Sequence, residues 1–156
     1  MLLKQFVPSS VCLECQGCCR FQEPQSPWRP KVGQAETLAG DTDVKGYLTT
    51  KPGDGCVYCR HFNPVDNTCG VYTIRPFECQ LYPFILSKED TGIKVYMHLA
   101  CPHIQQSQGK EDLDQYTDYL KEFLNSVSSK EYLSNNQRLL HDYHIFQDEL
   151  MFLFQL

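Results

Sequence analysis

Four cysteines fall within eight residues, Cys12-Leu-Glu-Cys15-Gln-Gly-Cys18-Cys19, and no other feature constrains the chain as much. A gap of two residues lets neighbouring thiolates turn toward one ion or one cluster. Cys18 and Cys19 are adjacent, and successive side chains diverge in most backbone conformations. One of them is therefore expected to serve a second centre or none. Gly17 offers the freedom to turn sharply between ligands, so Cys12 to Arg20 reads as a loop or a broken helical turn. Cys56-x2-Cys59 is a second convergent pair, and Cys69, Cys79 and Cys101 add single thiols from elements expected to fold back onto it. Nine cysteines furnish at most two four-thiolate sites with one thiol left over.

Disulfides are the competing explanation. The count is odd, and many of the cysteines are adjacent or two residues apart, where a mutual disulfide is strained or staples only a very short loop. Met1 to Ser10 has one Lys, no long apolar run and no small-residue cleavage site, so it does not read as a secretory signal. These observations favour metal in a reducing, cytoplasmic setting. The net charge of -5 and the scattered Lys and Arg exclude the basic run that nucleic-acid binding needs. No stretch approaches the roughly 20 apolar residues of a membrane span.

The spacing of other residues predicts the frame around the cysteines. Pro24, Pro27 and Pro30 surround the sole tryptophan, Trp28, in an extended surface loop whose indole covers something. A short helix is expected over Gln34 to Gly40. Asn63-Pro64-Val65-Asp66-Asn67 has the composition of a turn joining two short strands. Val71 to Arg75 reads as one helical turn that Pro76 ends or redirects. Tyr82 to Leu86 and Ile93 to Leu99 read as two strands, the second delivering Cys101 beside the earlier ligands. Beyond Cys101, the spacings of Leu113, Tyr116, Leu120, Phe123, Leu124 and Val127 mark an amphipathic helix, with Glu111, Asp112, Asp114 and Asp118 near its start. Ser128 and Glu131 form a capping-box pattern for a further helix through Leu133, Leu139 and Leu140. Leu150 to Leu156 is so apolar that it is expected to pack on the core or on a protein partner. The expectation is an α+β fold: one small, irregular, metal-stabilised domain over residues 1–156, with short antiparallel strands and C-terminal helices. Its metal-binding part spans about 10–105 and its helical part about 110–156.

Two stretches carry a family resemblance. Cys12 to Arg20 and Cys69-Gly-Val-Tyr72-Thr-Ile-Arg75-Pro76-Phe-Glu-Cys79-Gln-Leu-Tyr82-Pro83-Phe84 resemble the YkgJ-type cysteine-cluster proteins. That family is a zinc- or iron-chelating domain with a Cys-x2-Cys-x2-Cys-Cys signature and a Cys-x2-Tyr-x2-Arg-Pro-x2-Cys-Arg-x-Tyr-Pro stretch. Gln80 stands where Arg is usual, which bears on a salt bridge or anion contact and on no expected ligand. The resemblance spans about the first two thirds of the chain and implies metal chelation. A similar cluster in flagellin lysine methylases adds a third, enzymatic reading.

The candidate metal ligands are thus Cys12, Cys15, Cys18, Cys19, Cys56, Cys59, Cys69, Cys79 and Cys101, with Arg75 and Tyr82 supporting them. His61, His98 and His103 are alternative ligands, and each is more simply a polar or supporting group. The centre is expected to be an iron–sulfur cluster of the four-iron, four-sulfide type, serving electron transfer, sensing or assembly. The alternatives are a structural zinc module and a cluster- or thiol-dependent modifying enzyme.

Overall fold

The computed structural model describes residues 3–15 and 17–156; Gln16, inside the cysteine motif, lies outside them. The fold is α+β. It consists of two compact units, Leu2–Gln80 and Leu81–Leu156.

The N-terminal unit has little regular structure. It opens with helix α1, Ser9–Cys15, so the first two cysteines stand three residues apart on one helix face. Strands β1 (Arg20–Phe21), β2 (Thr50–Pro52) and β3 (Val57–Cys59) form an antiparallel sheet in the order β1-β3-β2. Strands β4 (Phe62–Asn63) and β5 (Thr68–Cys69) form the expected hairpin. Asn67 takes a φ of 57° in its turn, a conformation Asn tolerates better than most residues. A 3-10 turn, Tyr72–Ile74, ends where Arg75 becomes extended before Pro76. Helix α2, Phe77–Leu81, follows.

Phe21, Val32, Leu38, Leu48, Tyr58, Cys59 and Phe62 form the core of this unit, and Trp28 packs against it. The proline-rich loop before Gly33 is tied down by backbone bonds from Leu48 to Pro30 (2.8 Å) and from Val32 to Gly46 (2.9 Å). An ion pair between buried Arg29 and Asp43 at 3.0 Å adds to this. The helix expected over Gln34 to Gly40 is absent, and only a 3-10 turn, Ala39–Asp41, forms. The carboxylate of Glu36 accepts instead from the amides of Gly33 and Phe77, bonds that hold the segment in a turn.

In the C-terminal unit, β6 (Phe84–Glu89) and β7 (Gly92–His98) form a hairpin. Gly92, at φ 126°, occupies a conformation closed to side-chain-bearing residues. Strand β8, Leu150–Gln155, pairs antiparallel with β7, with a bulge opposite Val95 and Tyr96. Three helices complete the unit: α3 (Pro102–Ser107), α4 (Glu111–Asn125) and α5 (Val127–Asn135). Helix α4 buries Leu113, Tyr116, Leu120 and Leu124, and Tyr116 stacks on Phe84 at 5.1 Å. The cap of α5 is Ser126, whose hydroxyl accepts from the amide of Ser129, and not Ser128. The helix ends at Asn135, and a separate 3-10 turn, Gln137–Leu139, carries Leu139 into the core. Asn136 breaks the run because its backbone leaves the helical region. No helix among the described residues is long and apolar enough to cross a membrane.

Candidate metal centre

Loop, sheet, hairpin and helix each deliver thiols to one region of the N-terminal unit. Cys18 and Cys19 lie in the loop before β1, Cys59 ends β3, Cys69 ends β5, and Cys79 sits in α2. The Cys59 amide donates to the Cys19 carbonyl at 2.9 Å, which fastens the adjacent pair to the sheet. The pairing of Phe62 with Cys69 sets Cys69 opposite a residue three positions after Cys59. These five sulfurs feel one another's charge: Cys19 interacts with Cys18, Cys59 and Cys79, and Cys69 interacts with Cys59 and Cys79.

That proximity and burial set their proton affinities. The Cys19 thiol donates to Cys18, which pushes Cys19 up and, with the nearby positive charge of Arg75, pulls Cys18 down despite burial. Burial raises Cys59, partly offset by a bond from the His61 amide to its sulfur. Burial raises Cys79 well above the usual thiol range, with Cys59, Cys18 and the neighbouring Glu78 adding repulsion. Burial also pushes Glu78 up to about 8 against the Lys31 amide bonded to it at 2.6 Å.

Cys12 and Cys15 lie on α1, and Cys56 packs partly buried against the core. A Cβ at Gly17 would stand 3.4 Å from the Cys15 sulfur, so its role is room beside that thiol. Cys101 and Tyr82 belong to the C-terminal unit. Cys101 is buried just before α3, and the Tyr82 hydroxyl lies 3.2 Å from Nδ1 of His98. His61 is 3.3 Å from Asp41. His103 lies on α3.

Arg75 is held more elaborately than its sequence suggests. Its guanidinium lies 3.8 Å over the Tyr72 ring, and Nη2 donates to Oε1 of Gln5 at 2.8 Å. Gln5 and Gln80 escape sequence reasoning; the one signal was that Gln80 departs from the usual Arg.

Among the described residues, no three His, Cys, Asp or Glu side chains already stand in metal-coordinating geometry. The donor set nevertheless suits a thiophilic metal. Several sulfurs are gathered in one partly buried region, and a guanidinium acts on one of them. The chain belongs to the CxxCxxCC family of zinc- or iron-chelating domains, whose family model matches residues 11–119. It is a metal-chelating protein. No curated protein and no solved structure matches it.

Proposed function

We propose that the N-terminal unit holds an iron–sulfur cluster on thiolates drawn from Cys18, Cys19, Cys59, Cys69 and Cys79, and that the protein uses it in electron transfer, sensing or assembly. The observation that carries this reading is the mutual proximity of five thiols from four separate elements. A single tetrahedral zinc takes four ligands. The remaining candidates of this unit, Cys12, Cys15 and Cys56, stand as ligands of the same or a second centre. Bound there, a cluster supplies one-electron chemistry, and the aromatic side chains Tyr58 and Phe62 beside Cys59 keep water from it. The odd number and close spacing of the cysteines support a reducing, cytoplasmic setting. Exposed Met151 and Phe152 on β8 support a protein partner.

Structural zinc is the second reading. It is favoured by strands of only two or three residues throughout the N-terminal unit, which is the condition in which a metal does the work of a core. Metal and sulfide analysis of protein purified without air, with its visible spectrum, decides between them. A broad band near about 400 nm with about four irons and four sulfides per chain supports the cluster. Stoichiometric zinc without that band replaces it with the structural reading.

A further inference from the structure

The side chain of Gln80 is the hub of a polar latch. Its Oε1 accepts from the Leu3 amide at 3.3 Å, and its Nε2 donates to the Arg75 carbonyl at 2.8 Å. Its backbone carbonyl accepts from Nε2 of Gln5 at 3.1 Å. Gln5 then turns its Oε1 to Nη2 of Arg75. Each amide therefore spends its donor on the backbone of one latch residue and its acceptor on another. An Arg at position 80 has no acceptor for the Leu3 amide. The result is that both the backbone and one side-chain nitrogen of Arg75 are clamped, while Tyr72 supports the face of the guanidinium.

The clamp leaves one donor over. Nε of Arg75 is buried and has no hydrogen-bond partner among the described residues. Nε of Arg20, Arg29 and Arg138 are also unpartnered among the described residues; what sets Arg75 apart is that its carbonyl and Nη2 are held by the latch, which leaves Nε free for a group that completes it. Gln80 follows the candidate ligand Cys79 on α2 and bonds the Arg75 carbonyl, so the latch ties this cation to the helix that carries a thiol of the cluster. A divalent metal on four thiolates keeps a net negative charge, and burying that charge is costly unless a cation meets it.

We propose that Gln5 and Gln80 are positioning residues that aim Arg75 at the metal centre, where its Nε–H donates to a sulfur of the loaded site and its charge offsets that of the thiolates. This rests on the thiol cluster being the metal site. The clamp supplies orientation, and Arg75 supplies the charge. The Lys side chain keeps the charge without the planar fork, so it replaces Arg75 only in part.

The test is zinc affinity of the full-length, metal-stripped chain, measured anaerobically by competition with a chromophoric chelator, alongside far-ultraviolet circular dichroism. Arg75→Gln is expected to weaken zinc binding by about tenfold or more, the size of a lost charge-assisted hydrogen bond. Arg75→Lys is expected to recover part of that loss. Gln5→Ala and Gln80→Ala are each expected to weaken binding by about threefold to tenfold, and to add nothing further in an Arg75→Gln background, because residues acting through one group are not additive. A purely structural role would not produce that non-additivity or the rescue by Lys. If Arg75→Gln loses the fold, the two Gln variants and Arg75→Lys carry the test. Unchanged affinity in the Gln variants, or losses that add in the double variants, overturns the inference alone. A wild-type chain that takes neither zinc nor iron overturns the metal reading and this inference with it.

Discussion

Cys19 and Cys59 share a backbone hydrogen bond of 2.9 Å, so the adjacent-cysteine loop and strand β3 move as one piece. Cys59 is also part of the buried core. Cys59→Ser is therefore expected to act twice. It should reduce bound metal, and it should destabilise the metal-free N-terminal unit by about 1–3 kcal/mol through burial of a hydroxyl. Metal content and urea unfolding of the stripped protein measure the two effects separately.

Gly53 leaves room for the ring of Tyr58. A Cβ there would lie 2.3 Å from one ring carbon, and Tyr58 is buried among core side chains that hold it in place. Gly53→Ala is expected to lower stability by about 1–3 kcal/mol, the range for an overpacked core. Gly40→Ala, which meets nothing within 4 Å, is the control and should shift the urea midpoint little.

Ser126 and Ser128 compete as the start of α5, and only Ser126 accepts from the amide of Ser129. Ser126→Ala is expected to cost about 1 kcal/mol and Ser128→Ala close to nothing. Thermal unfolding of the two variants checks the assignment.

His98 gives the C-terminal unit an acid dependence. Burial holds its proton affinity below the usual value of 6.5, although Glu149 at 3.6 Å works the other way. Below about pH 6.5 the unfolded chain binds this proton more readily than the folded one, so stability falls as pH falls through the lowered folded value. The melting temperature should drop on acidification, and His98→Gln should flatten that part of the profile.

Helix α4 and the β6–β7 hairpin were legible because their burial follows a period, whereas the short helices α1, α2 and α3 carry too few residues to show one. Leu113, Tyr116, Leu120 and Leu124 recur at helical spacing and are all buried on α4, and Gly92 marks the hairpin turn. The cap of α5 was misread because Ser126, Ser128 and Ser129 present several hydroxyls within four residues, and local pattern does not say which one meets an amide. The short helix before Gly40 failed for a tertiary reason: Glu36 bonds to Phe77, 41 positions away. At the candidate site, the abundance of thiols was visible in the sequence, although the meeting of Cys18, Cys19, Cys59, Cys69 and Cys79 from four elements was not. The clamp on Arg75 was not, since Gln5 and Gln80 are 75 positions apart and neither amide is distinctive until the fold joins them.

Burial of Cys59 and Cys79 also bears on how the empty protein survives in air. Oxidants attack thiolates far faster than thiols, and these two sulfurs hold their protons tightly. Cys18, whose proton affinity is lowered by the bond from Cys19, is readier to react than either of them. Damage to a chain awaiting its metal should begin there, while the two protonated sulfurs outlast the wait.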